Sequence, residues 1–286
     1  MPPASQRGPR ADGPQAHADE SPEARSEREL LSRHDVLCVR APNSGHLTLS
    51  GTNTWVVGRS PAWLVDPGPA LAAHIERLLA AIDARGGLGG VVLTHDHPDH
   101  SEAVAALREE RPAPLAAGRG EPEVALTDGT RFGPFQAVST PGHTPDHFAM
   151  IANGACFTGD AVLGDGSVFI SPYPGAMAGY LDGLRRLRSR EDFDVLCPGH
   201  GRSVWEAQAK LDEYIAHRLD RESRLIAALG EGRRTVAELL DAVWSEVPEG
   251  LRPLATVTLA AHLDKLDEVG EVPADVERPV FEDGLF

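Results

Sequence analysis

The run Thr94-His95-Asp96-His97-Pro98-Asp99-His100 places three imidazoles and two carboxylates within seven residues. Groups that compete for protons and for desolvation are crowded like this when a cation satisfies them together. Imidazole nitrogen and carboxylate oxygen are the donors zinc takes, at about 2.0–2.2 Å. His143, Asp160 and His200 follow as single residues of the same ligand type. The chemistry this predicts is that of a metal centre. His46, His74 and His217 stand alone and read as ordinary polar residues.

Ligands need a rigid frame, and the flanking sequence provides one. Residues 90–93 (Gly-Val-Val-Leu) read as a short buried parallel strand, so the His-rich run lies on the loop at its C-terminal end, where open α/β sheets place their sites. Residues 101–107 read as the following helix. Residues 138–144, 155–160 and 195–201 repeat one grammar: an apolar strand, a glycine turn, then His143, Asp160 or His200. Four strand ends thus converge on one edge. His147, four residues after His143, opens a further strand and reads as structural.

These residues resemble the metallo-β-lactamase-fold hydrolases, whose pattern is H-x-H-x-D-H followed by a separate His, Asp and His. Gly51-Thr52-Asn53-Thr54-Trp55 and Val65-Asp66-Pro67-Gly68 add to the resemblance, which covers roughly residues 36–205. It implies an α+β fold, an αββα sandwich, with two Zn2+ (iron or manganese as alternatives). By this resemblance His95, His97 and His143 hold the first metal and Asp99, His100 and His200 the second. Asp160 bridges both, and Asp66 orients ligands from behind. The implied activity is that of a dinuclear zinc hydrolase whose metal-bridging hydroxide attacks an ester, thioester or phosphodiester, with Asp99 also accepting a proton. His97 stands where the oxygen-reducing diiron relatives carry an acid. Asp160 is the carboxylate that β-lactam-destroying relatives lack. The 39 residues between Asp160 and His200 leave no room for an inserted nuclease domain. A mononuclear iron oxidoreductase of the persulfide type shares much of the motif and stands as an alternative.

The remaining elements alternate. Strands are expected at 36–40, 54–57, 63–65, 135–139 and 147–152, and helices at 70–85 and 177–187. The glycine- and proline-containing loop 163–175 lies beside the ligands and is a candidate wall of the substrate pocket. Residues 1–30, rich in Pro, Ala, Ser, Glu and Arg, read as a disordered tail with no apolar export segment. Cys38, Cys156 and Cys197 sit in apolar contexts and read as core, and no apolar run is long enough for a membrane helix, so a cytoplasmic enzyme is expected.

Residues 31–204 form the expected catalytic domain and 205–286 a second one. Helices at 205–229, 235–244 and 254–266, then a strand pair from 271, read as a winged-helix-like arrangement. With Ala261-His262-Leu263-Asp264-Lys265-Leu266 it resembles the lactamase-beta-like protein 2 group, which implies endoribonuclease activity on single-stranded RNA. Charge opposes that implication: residues 206–286 hold 18 acidic against 9 basic residues, and the whole chain carries a net charge of −16. DNA reading is therefore not expected. Arg218, Arg221, Arg224, Arg233 and Arg234 are the candidates for a local basic patch. The acidic helices also suit packing or homodimerisation.

Overall fold

A computed structural model describes residues 21–281. Two sheets form its centre. The first runs β1 (Val36–Arg40), β2 (Asn53–Val57), β3 (Ala62–Val65), β4 (Leu88–Val92), β5 (Leu115–Ala117) and β6 (Val124–Ala125) in spatial order. The second runs β11 (Val195–Pro198), β10 (Ala155–Gly159), β9 (Phe148–Ala152), β8 (Phe135–Ser139) and β7 (Arg131–Phe132). The first three strands pair antiparallel, as expected, and β3 pairs β4 in parallel.

Alternation along the strands builds the three interfaces between four layers. Trp55, Val57, Val65 and Val92 face inward and meet Phe135, Met150, Phe157 and Val195 of the other sheet in one buried cluster. Their neighbours Val56, Leu64 and Val91 point the other way and are covered by α2 (Ala72–Asp83) and α4 (Ala103–Glu110) through Leu78, Ile82 and Leu107. On the far side, Ile151, Cys156 and Leu196 are covered by Tyr180, Leu181 and Leu184 of α5 (Ala176–Arg188). Helix, sheet, sheet, helix is the α+β sandwich expected. Cys156 and Cys197 are buried, Cys38 is half-buried, and all three are free.

The 24-residue helix α6 (Ala207–Gly230) belongs to two cores. Leu211 and Tyr214 join the α5 cluster, while Leu225, Ala228 and Leu229 pack against α7 (Val236–Val243) and α8 (Arg252–Asp267). Lys265 of α8 donates to both oxygens of Glu222 on α6, at 2.7 and 2.8 Å. His262 and Lys265 beside it hold the Glu222 carboxyl down to about 2 from the ordinary 4.5. A carboxyl depressed on folding stabilises above its unfolded pKa and loses that contribution as pH falls through the folded one. A Glu222→Gln variant should therefore be less stable than the parent at neutral pH. The deficit should close between pH 4.5 and about 2, read from denaturation midpoints at each pH.

Three expectations are corrected. Residues 22–30 are not tail: α1 spans Pro22–Ser32, capped by the Ser21 hydroxyl, which accepts from Ala24 N–H at 3.1 Å. Leu31 anchors it in the inter-sheet core, and Glu27 accepts from the Ser203 N–H at 2.7 Å. The tail expected at residues 1–20 lies outside the described residues. Second, no strand forms in residues 271–281; Val272 and Val276 instead pack into the α7–α8 cluster, so the described residues carry no wing. Third, the helical turn after β4 starts at Pro98, as α3 (Pro98–Ser101), so Asp99 and His100 sit on a helix and not a loop.

Candidate metal centre

All seven ligand-type residues predicted from sequence lie at one edge of the two sheets. His95 and His97 follow β4, Asp99 and His100 ride on α3, and His143, Asp160 and His200 follow β8, β10 and β11. Gly159 has φ +47, and a Cβ there would fall 2.3 Å from the Thr94 hydroxyl; at Gly199 it would fall 2.5 Å from Asp160 Oδ1. Only glycine lets these turns approach their neighbours so closely.

Two groups form. His97 Nδ1 lies 3.1 Å from His95 Nε2 and 3.0 Å from His143 Nε2. His200 Nε2 lies 3.3 Å from His100 Nε2 and 3.2 Å from Asp99 Oδ2. Asp160 stands between them, with Oδ2 3.6 Å from His143 Nε2 and 3.4 Å from His200 Nε2. His95, His97 and His143 form one candidate metal-holding group, and Asp99, His100 and His200 another. A third, Asp66 with His95 and His100, is close enough by distance alone. The Asp66 oxygens, however, already accept from Thr94 N–H at 2.7 Å, Thr94 Oγ1–H at 2.7 Å and His100 Nδ1–H at 2.9 Å. Asp66 supports the site from behind.

The outer nitrogens set the tautomers. His100 Nδ1 donates to Asp66, and His143 Nδ1 donates to the Phe169 carbonyl at 3.3 Å. His95 Nδ1 donates to Thr94 Oγ1 at 3.0 Å, whose own proton goes to Asp66. Each ring then turns a lone pair inward. Lone pairs converging at about 3 Å repel unless a cation lies among them, and buried Asp160 Oδ1 has no hydrogen-bond partner. The donor set fits metal ions.

Burial lowers the pKa of His95 far below the ordinary range, with His100 adding to it, and takes His143 to about 4. Both rings are thereby kept neutral at physiological pH, the form in which an imidazole can hold a metal. Burial also pulls on His200, but Asp160 and Asp99 outweigh it and raise that ring to about 10. Asp160 stays well below the usual carboxyl range: burial pushes it up, and the His200 and His100 rings more than offset this.

His147 is structural, as expected. Its Nδ1 donates to Thr140 Oγ1 at 2.8 Å and its Nε2 accepts from the Asp160 N–H at 3.1 Å, which fixes the turn carrying Asp160. His74 is likewise satisfied, by Pro67 O at 3.0 Å and Thr54 Oγ1 at 3.1 Å.

A cavity of about 480 Å³ opens onto His97, Asp99, His143, Asp160 and His200. The loop expected to line a pocket does so, through Leu163, Val168 and Phe169. Trp244, Val247, Leu251 and Leu254 from the C-terminal helical region line it too, as do His46, Leu47 and Leu49. His46, His217 and Trp244 escape a sequence reading because long-range packing alone brings them here. Arg218 did leave a signal. It continues the α6 stripe of Leu211, Tyr214 and Leu225, where an apolar residue belongs.

The sandwich resembles solved structures. A beta-lactamase domain protein from Burkholderia ambifaria superposes with a TM-score of 0.71 over 82% of this chain and 86% of that one, at 20% identity. The sequence pattern of the metallo-beta-lactamase superfamily matches residues 47–131. Lactamase-like protein adaB of Aspergillus niger is 31% identical over 90% of this chain and 86% of the relative. A beta-lactamase-like protein 2 homolog of Drosophila melanogaster is 28% identical over 83% of this chain and 89% of its own. This chain belongs to the metallo-beta-lactamase superfamily. No helix among the described residues is long and apolar enough to cross a membrane.

Proposed function

We propose that the protein is a dinuclear zinc hydrolase acting on a small ester or thioester with a largely apolar acyl part. One observation carries this reading: the cavity that opens on the convergent imidazoles is walled by Leu163, Phe169, Trp244, Leu251 and Leu254. Zinc held by the two groups and Asp160 would lower the pKa of water from about 15.7 to about 7 and polarise the acyl oxygen.

The side chains do the rest. Asp99 lines the cavity, and Thr52 Oγ1–H (3.2 Å) and His200 (3.2 Å) both engage its Oδ2. Its Oδ1 would then accept the proton of the attacking water. The apolar walls hold the acyl group and exclude bulk water.

Single-stranded RNA is the weaker substrate candidate, because four of the five arginines that would form a basic patch lie beside an acid. Arg221 pairs with Glu246, Arg224 lies beside Asp220 and Glu246, Arg233 pairs with Glu231 and Arg234 with Asp275. Phosphate recognition needs free, clustered cations.

The test compares the zinc-loaded protein with an identically prepared His95→Ala variant on 4-nitrophenyl octanoate, octanoyl thioesters and a labelled single-stranded RNA. Ester or thioester turnover lost in the variant, with the RNA intact, is the expected result. RNA cleavage lost in the variant would replace this reading with the ribonuclease one. About one iron and no zinc per chain in the purified protein would replace it with the oxidoreductase one.

A further inference from the structure

The wall of the cavity also takes in the middle of α6, where the helix passes from the α5 core to the α7–α8 core. Arg218 stands there, only 2% exposed and lining the cavity. Its Nη2 donates to Ser167 Oγ at 3.0 Å and to the Val168 carbonyl, and its guanidinium lies 5.4 Å from the centre of the Tyr180 ring. Its Nε is buried without a hydrogen-bond partner. Among the described residues no carboxylate comes within ion-pair distance of it, 4.0 Å.

Arg221, one turn along the same helix, shows what a compensated neighbour looks like. It donates to Glu246 and to the Val243 carbonyl, and its Nε meets His217 at 3.2 Å. His217 adds no charge of its own: burial, with Arg218 and Arg221 beside it, takes its pKa down to about 4. One buried cation in the wall of this cavity therefore lacks an anion. Taking a guanidinium out of water without a counter-charge is strongly disfavoured, so an anion brought to it by a ligand would be favoured.

We propose that Arg218 is the anion-recognising residue of the cavity, and that the molecule bound there carries a carboxylate at the end remote from the group presented to the imidazoles. The proposal deepens the hydrolase reading by assigning the substrate class: an apolar acyl ester or thioester with a distal carboxylate. A carboxylate fits better than a phosphate dianion. Its single charge matches the one guanidinium of the cavity wall that no carboxylate neutralises; with Nη2 donating to Ser167 and Val168, Nε and Nη1 are the donors left for it. A dianion would need a second cation, and Glu246 already meets the charge of Arg221.

The test reads binding and not turnover. The zinc-loaded full chain is titrated calorimetrically with neutral n-alkanamides and with their ω-carboxy counterparts (suberamic acid against octanamide, and shorter and longer pairs). The carboxylate should bind at least about tenfold more tightly than its neutral partner at one chain length, as expected for a charge-assisted pair. Arg218→Gln should remove that advantage and leave the neutral amides unchanged, while Arg218→Lys keeps part of it. The proposal is overturned if no chain length favours the acid, or if the advantage survives in Arg218→Gln. Equal loss of acid and amide binding in that variant would also overturn it, since Arg218 would then act only by holding the 163–175 loop. Failure of the protein to hydrolyse any ester would count against the hydrolase reading and leave this result standing on its own.

Discussion

Asp160→Ala is expected to bind one metal ion where the parent binds two, and to lose on the order of a thousandfold in kcat/KM, about 4 kcal/mol of transition-state stabilisation. The geometry singles out this carboxylate. Its Oδ2 lies within 3.6 Å of His143 in one group and 3.4 Å of His200 in the other, while its Oδ1 lies 3.5 Å from His100. Asp66 also comes near one ring of each group, but its oxygens are already taken by Thr94 and His100, whereas Asp160 Oδ1 has no hydrogen-bond partner. Without it, three buried rings lose their shared counter-charge, and two metal ions held side by side would repel across the gap it left. Asp160→Asn is the sharper variant. It keeps the volume and the backbone N–H bond to His147, so any loss reports the charge alone. Metal content by mass analysis, taken beside kcat/KM for the best substrate found, separates the two effects. Two full equivalents of metal with unchanged activity would show that Asp160 bridges nothing.

How much of this could be read beforehand depends on the range over which each feature is determined. The ligands were legible because each is set locally, by a strand, a glycine turn and one side chain, as at Ala155–Gly159 with Asp160. The role of His147 was legible for the same reason, since Thr140 lies only seven residues away. Asp66 was placed by its resemblance to a known pattern, and its partners, Thr94 and His100, lie 28 and 34 residues distant. The cavity walls were not legible. Leu47, Phe169, Arg218 and Trp244 become neighbours only when α6 and the C-terminal helices close over the sheet edge. The two- and three-residue strands β5, β6 and β7 are too short to show a period. At the N-terminus polar composition concealed a helix whose anchorage is Leu31 and the Glu27 contact with Ser203. The acids beside the clustered arginines were hidden for an opposite reason: the arginines are close in sequence, while Glu246 and Asp275, which pair with Arg221 and Arg234, are distant in it.

Asp66 offers the largest expected effect on the folded state. It is 1% exposed, and its two oxygens take three donors from Thr94 and His100. Asp66→Ala would leave those donors buried and unpaired, a loss of about 3–5 kcal/mol. Its backbone adds to the cost, because φ is +51 at this position, a conformation that alanine resists and asparagine tolerates. Asp66→Asn therefore separates folding from metal binding. The carboxamide keeps the shape and an oxygen for the Thr94 N–H, but offers an N–H where Oδ2 accepted from the Thr94 hydroxyl and from His100 Nδ1. That ring must then accept at Nδ1 and carry its proton on Nε2, the atom facing His200 at 3.3 Å. An imidazole with its proton turned inward cannot ligate there. The Asn variant should unfold near the parental midpoint yet bind metal at the Asp99-His100-His200 group about 10–100-fold more weakly, in line with other lost supporting contacts. The His95-His97-His143 group should weaken less, since His95 reaches Asp66 only through Thr94. Stepwise zinc titrations against a competing chelator would resolve the two affinities. Equal weakening of both groups would mean that Asp66 sets the position of the whole loop and not the tautomer of His100.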